Sequence, residues 1–128
     1  MPEILVLLVE DEAMLTLVLE EALKEGGYKV QVAHDGVKAI AVLEADPHRF
    51  HALVTDIRMP GKLTGWDVAH RARELVPTIP VVYMSGDKAV EWSAHGVPNS
   101  VMLQKPFAVD QAVTAVSQLL NTIPPTDK

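Results

Sequence analysis

Short apolar runs alternate with longer segments of helical periodicity along this chain. Five of the runs have strand length and end at polar or turn-forming residues, as buried strands do. They cover residues 4–9, 28–33, 52–56, 79–84 and 100–104. The run 4–9 is apolar throughout, which predicts a strand covered on both faces. The run 28–33 is half polar, which favours a strand at a sheet edge.

The segments between these runs place apolar residues on one helical face. They predict helices over residues 13–25, 36–45, 64–75 and 109–120, with a short, poorly patterned helix over 87–94. Asp35 is expected to cap the second helix, and Thr64 with Asp67 forms a candidate capping box for the third. The local signals therefore divide the chain into five consecutive pairs, each of one strand followed by one helix.

Strand and helix alternating five times, with short links, predict an α/β fold. The expected architecture is a (βα)5 doubly wound parallel five-stranded sheet with helices on both faces. A chain of 128 residues fits one domain. We expect that domain to cover residues 1–123, followed by a frayed tail over 124–128 that begins at two prolines.

Amino-acid composition excludes or disfavours several classes of function. The absence of cysteine excludes disulfides, thiolate metal sites and cysteine nucleophiles. A net charge of −6 without a basic cluster argues against nucleic-acid binding. The first apolar run is too short for a signal-peptide core or a membrane span, so a soluble, cytoplasmic protein without a membrane partner is expected.

Chemically capable side chains follow four of the predicted strands. They are Glu10 and Asp11 after the first strand, Asp56 at the end of the third, Ser85 after the fourth and Lys105 after the fifth. Each has an ordinary structural explanation as a helix cap, turn residue or surface charge. Because the carboxyl ends of parallel strands open on one edge, we expect all five to converge there, where ligands collect.

These five side chains together could bind a cation and a phosphoryl group. Carboxylates packed together repel one another unless a cation lies among them, and Mg²⁺ prefers carboxylate, water and phosphate oxygens. Lys105 is a second point charge suited to a phosphoryl oxygen, and Ser85 can donate to another. A carboxylate can also act as the nucleophile that accepts a phosphoryl group.

Four motifs together resemble the signature of the receiver domains of two-component response regulators. They are Val9-Glu10-Asp11-Glu12, the stretch from Thr55 to Gly61, Met84-Ser85-Gly86 and Lys105-Pro106-Phe107. The resemblance spans nearly the whole chain. It implies a flavodoxin-like strand order of 2-1-3-4-5.

The resemblance also implies roles for the residues at the sheet edge. Asp56 would accept a phosphoryl group from the phosphohistidine of a sensor histidine kinase or phosphotransfer protein. Mg²⁺ would be bound by Glu10, Asp11, Asp56 and the backbone carbonyl of Arg58. In the same family pattern Ser85 and Lys105 hold the phosphoryl oxygens, and the Lys105–Pro106 peptide bond is cis.

On this basis the protein is expected to be a signalling switch that catalyses only its own phosphorylation and dephosphorylation. Phosphorylation would change the face that binds a downstream protein, whose identity the sequence does not give. The expected state is a monomer or a weak dimer.

The chain departs from the family pattern in three places. Its loop 61–65 is one residue longer than the commonest form, the helix 87–94 is weak, and Met102 occupies a position where many members carry an aromatic switch residue. At the mouth of the site, Arg58 and Asp87 have opposite charges and are predicted to pair and slow self-dephosphorylation; the alternative is that both side chains point into solvent. Phosphorylation is expected to draw Ser85 inward and shift the segment after it.

The remaining aromatic and histidine side chains are expected to be structural. Trp66 and Tyr83 are expected to be core rather than functional residues. Burial is also expected for Trp92, and an exposed Trp92 would instead mark a partner surface. The five histidines share no metal-like spacing.

Other functions stay open at this stage. A haloacid-dehalogenase-like phosphatase would need a second aspartate two residues after the nucleophile, where this chain has Arg58. A flavin-binding domain would need a phosphate-cradling loop where the chain has Glu10-Asp11-Glu12. A pseudo-receiver that only docks, and the receiver portion of a hybrid sensor kinase, fit the same fold.

Overall fold

The computed structural model describes residues 3–86 and 92–121. Its five strands are β1 (Leu5–Val9), β2 (Lys29–Ala33), β3 (Ala52–Asp56), β4 (Val81–Ser85) and β5 (Ser100–Gln104). All neighbouring strands are parallel, and they form one sheet in the order β2-β1-β3-β4-β5. The predicted fold class and strand order are confirmed.

Helices connect the strands. They are α1 (Ala13–Glu25), α2 (Gly36–Ala45), α3 (Gly65–Leu75), α4 (Trp92–His95) and α5 (Val109–Asn121), with a 3₁₀ turn over Pro47–Arg49. The predicted caps are present: Asp35 accepts a hydrogen bond from the Lys38 amide at 2.8 Å. Thr64 and Asp67 form the capping box, because each side chain accepts from the other residue's backbone N–H.

The sheet separates two hydrophobic clusters. One lies beneath α2 and α3, and the other beneath α1 and α5, with apolar side chains from the strands alternating between them. β1, β3 and β4 are central and almost fully buried, whereas the edge strands β2 and β5 are partly exposed. The buried central strands β1 and β3 thus lead directly to the acidic residues of the candidate site.

Three expectations need correction or stay open. β4 begins at Val81 rather than at residue 79, because Pro80 has no N–H to donate to the sheet. The described fourth helix ends at His95, one residue beyond the predicted end, while residues 87–91 of the prediction lie outside the described part. The proposed tail 124–128 also lies outside it, so the domain boundary stays a prediction.

The expectation that Tyr83 and Trp66 are core residues is confirmed. Tyr83 is fully buried, and Trp66 packs against it while remaining partly exposed. Burial of Trp92 was the wrong expectation, because 36% of that residue is exposed, beside an open groove lined by residues 96–100.

Over residues 3–86 and 92–121, none of the helices is long and apolar enough to cross a membrane.

Candidate functional site

Three carboxylates meet at the carboxyl edge of the sheet. Val9 and Thr55 are register partners on β1 and β3, so the residues that follow them, Glu10 and Asp56, emerge side by side. One carboxylate oxygen from each of Glu10, Asp11 and Asp56 lies within 4.8 Å of the others. These oxygens are close enough to share one cation, and the predicted convergence of the three acids is observed.

Asp56 is the last residue of β3 and is only 6% exposed. One of its carboxylate oxygens accepts from the Ile57 amide at 2.9 Å, and the other lies 3.3 Å from Lys105 Nζ. Burial raises the pKa of Asp56 above its ordinary value, although the Lys105 ammonium opposes that rise. Because the Asp56 carboxylate is so little exposed to solvent, its negative charge depends on stabilisation by a nearby cation such as the Lys105 ammonium.

Glu10 is more deeply buried, at 1% exposure. Its Oε2 accepts from the Glu12 amide at 3.0 Å, and its Oε1 lies 3.5 Å from Lys105 Nζ. Burial raises the pKa of Glu10 to about 7, and the neighbouring carboxylates of Asp56 and Asp11 add to the effect. Near neutral pH this carboxyl group is therefore only partly charged.

Lys105 reaches both buried acids from the end of β5. Burial lowers its pKa, but the carboxylates of Asp56 and Glu10 more than offset this, so the Lys105 pKa lies above its ordinary value. Its backbone N–H donates to the Ser85 carbonyl at 2.7 Å, which ties the ends of β4 and β5 together. The Lys105–Pro106 bond is cis, as the resemblance implies.

The other predicted site residues lie at the same edge. Ser85 ends β4 and is 2% exposed, so it is already buried here. The side chains of Asp11 and Arg58 are exposed, and Arg58 lies two residues after Asp56. Asp87 lies outside the described residues, so its pairing with Arg58 stays a prediction.

The sequence did not identify the residues that position the acidic turn. Thr16 on α1 and His34 after β2 both bond the Glu10 carbonyl oxygen, at 3.3 and 3.1 Å. Because a carbonyl only accepts, His34 donates through Nδ1–H. Thr16 also bonds the Glu12 carbonyl at 2.9 Å. The detectable signal was one buried hydroxyl on the otherwise apolar inner face of α1.

Gly65 allows α3 to approach the acid-bearing strand. A Cβ at this position would lie 2.2 Å from the Asp56 carbonyl oxygen and 2.9 Å from the Ile57 Cα. The Gly65 amide donates to the Ile57 carbonyl at 2.8 Å. The start of α3 is thus fixed directly against the backbone that holds Asp56.

Comparison with known proteins agrees with this arrangement. The family described as the response regulator receiver domain matches residues 6–117, which include all five predicted site side chains. The chain belongs to this receiver family. Receiver domains are signalling domains, and the membership is consistent with phosphorylation-based signalling.

Individual relatives of this receiver span a range of similarity. A response regulator receiver protein from Sinorhizobium medicae is 44% identical, with a TM-score of 0.92 over 95% of this chain and 98% of that one. The receiver domain of the hybrid histidine kinase CckA is 29% identical, with a TM-score of 0.76 over 91% and 98%. Response regulator MprA of Mycobacterium avium is 31% identical over 124 residues, which are 95% of this chain and 53% of that protein. The chain thus spans about half the length of the curated relatives it matches.

Proposed function

We propose that this receiver is a phosphorylation-dependent switch in which Asp56 accepts a phosphoryl group from the phosphohistidine of a histidine kinase or phosphotransfer protein. The supporting observation is the Asp56 carboxylate itself, which ends a buried strand beside two further acids and lies 3.3 Å from Lys105 Nζ. In the transfer, an Asp56 oxygen attacks phosphorus as the bond from phosphorus to the histidine nitrogen breaks. An acyl phosphate forms, and the imidazole leaves.

The donor set of the acidic cluster fits Mg²⁺. It offers carboxylate oxygens alone, as a hard divalent ion requires, with one exposed member that leaves room for water. In this proposal Glu10, Asp11, Asp56 and the backbone carbonyl of Arg58 hold the ion. Bound there, Mg²⁺ would neutralise the negative charge that the acids and an incoming phosphate share.

Lys105 and Ser85 have complementary roles in the proposal. Lys105 pairs with Asp56 and Glu10 before reaction and would turn to a phosphoryl oxygen afterwards, since a lysine ammonium has three rotatable donors. Ser85, buried at the end of β4, would donate its hydroxyl to another phosphoryl oxygen. In this proposal the protein catalyses only its own phosphorylation and dephosphorylation and acts on no other substrate. Its consequence is altered binding of a downstream protein.

The test is intact mass after incubation with a small acyl phosphate and Mg²⁺. Wild type should gain the mass of one phosphoryl group, and Asp56→Asn should gain none. Asp46→Asn is the matched control, because Asp46 is an exposed aspartate away from the cluster, and it should label like wild type. Labelling of Asp56→Asn, or none in wild type, would contradict the proposal and restore the docking-only alternative.

A further inference from the structure

Tyr83 joins the interior of β4 to the link between α4 and β5. It lies two residues before Ser85, so both side chains point to the same side of the strand. Its ring is fully buried and packs on Trp66 with ring centroids 4.7 Å apart. Its hydroxyl oxygen accepts a hydrogen bond from the buried Val97 amide at 3.0 Å. A shift of β4 would therefore reach Val97 through one directed bond.

Further hydrogen bonds connect Val97 to the protein surface. The Ser100 hydroxyl donates to the Val97 carbonyl at 2.6 Å, and the Trp92 indole N–H donates to that hydroxyl oxygen at 2.8 Å. Trp92 is 36% exposed and borders an open groove with Gly96 to Ser100. A continuous series of bonds thus leads from the core of β4 to a surface tryptophan.

The link between α4 and β5 is also held from α3. The Arg73 guanidinium donates to the carbonyl oxygens of Pro98 and Asn99, and to that of Ile79 just before β4. These bonds fix the link to α3 and to the beginning of β4. Displacement of the opposite end of β4, where Ser85 lies, would then act on the bond between Tyr83 and Val97.

On the side of the α4–β5 link, strand β5 offers no hydroxyl at the level of Tyr83. Met102 is the register partner of Tyr83 on β5, and its thioether is at best a weak acceptor. Of this cross-strand pair, Tyr83 alone has a hydroxyl able to hold the link.

We propose that Tyr83 is the positioning residue that transmits the phosphorylation state at the sheet edge to the α4–β5 link and Trp92. The inference rests on the proposed function. In the unphosphorylated protein the bond from the Val97 N–H to Tyr83 holds the link against β4. When Ser85 moves toward a phosphoryl group on Asp56, β4 carries Tyr83 with it and that bond weakens, which changes the surface around Trp92.

The experiment compares wild type, Tyr83→Phe and Tyr28→Phe before and after treatment with acyl phosphate and Mg²⁺. Tyr28 and Tyr83 are the two tyrosines of the chain, and the Tyr28 hydroxyl hydrogen-bonds Ser117 on the other side of the sheet. Intact mass measures phosphorylation. Two-dimensional NMR follows the Val97 amide and the indole N–H of Trp92, which Trp92→Phe assigns among two indole signals.

All three proteins should gain one phosphoryl group. In wild type and Tyr28→Phe, phosphorylation should shift the Trp92 and Val97 signals and speed hydrogen exchange at Val97. Tyr83→Phe should lose most of the response at Trp92 while labelling normally, which a purely structural role would not produce.

Two results would overturn the inference while leaving the proposed function intact. One is a full Trp92 response in phosphorylated Tyr83→Phe. The other is silence of both signals in phosphorylated wild type, which decides the matter even if the variant does not fold. Absence of a mass gain in wild type would overturn the proposed function, and the inference with it.

Discussion

Glu10 carries a buried carboxyl group whose pKa of about 7 exceeds the usual 4.5, with burial as the largest cause. An acid with a higher pKa in the folded state holds more protons there than in the unfolded chain between the two values. The free energy of unfolding therefore falls as pH rises through that window. The folded protein tolerates this cost at the edge where the acids gather.

In metal-free buffer, Glu10→Gln should become more stable relative to wild type as pH rises from 4.5 to about 7. The relative change is on the order of 3 kcal/mol, because one pKa unit corresponds to about 1.4 kcal/mol. Urea denaturation at several pH values measures it. Glu21→Gln, at an exposed position on α1, should follow wild type. If the unfolding free energies of wild type and Glu10→Gln changed with pH in parallel, burial would not raise the pKa of Glu10.

At the scale of elements, α3 and β3 meet through backbone atoms rather than side chains. Gly65 lies at the first position of α3, where a Cβ would come within 2.2 Å of the Asp56 carbonyl oxygen. Helix propensity alone favours alanine over glycine, so tertiary contact and local preference oppose each other at this position. The contact should prevail because neither backbone can move without disturbing the sheet or the capping box.

Gly65→Ala should destabilise the protein by about 1–3 kcal/mol, as overpacking a closely packed site does. It should also slow phosphorylation of Asp56, whose backbone must shift. Gly86→Ala is the matched control for stability, since a Cβ there would meet no atom of the described residues within 4 Å. Thermal and urea unfolding compare the two variants. Equal stability of Gly65→Ala and wild type would mean that α3 can withdraw from β3 freely.

For the whole molecule, a metal ion bound at the proposed acidic site would stabilise the folded state. A ligand that binds only the folded protein stabilises it by about 2.7 kcal/mol at one hundred times its dissociation constant. The three carboxylate oxygens come within 4.8 Å of one another only after β1 and β3 pair in register. The unfolded chain therefore has no equivalent site.

Added Mg²⁺ should raise the melting temperature of wild type and have a much smaller effect on Asp11→Asn. Asp11 is exposed, so its substitution removes a proposed Mg²⁺ ligand with little cost to the fold. Sodium chloride at matched ionic strength controls for screening of the net charge of −6. Identical Mg²⁺ responses in the two proteins would remove Asp11 from the ligand set.

The sequence by itself determined the elements and their arrangement. Hydrophobic periodicity and the Asp35 and Thr64 caps involve residues close together in the chain, so they are visible without a structure. Alternation of strands and helices then fixed a parallel sheet, and the motifs at the strand ends pointed to the receiver family and its strand order. These signals also placed Glu10, Asp56 and Lys105 at one edge.

Only the tertiary structure decided the properties that depend on distant neighbours. The pKa of Glu10 follows from complete burial, and Thr16 and His34 hold its carbonyl from separate elements. The exposure of Trp92, predicted wrongly, depends on its place beside the groove of residues 96–100, which only the packed structure shows. The bond between Tyr83 and Val97 spans 14 residues and has no local signature. Such contacts form when packed elements bring backbone and side chains together, and periodicity along the chain does not encode which pairs will meet.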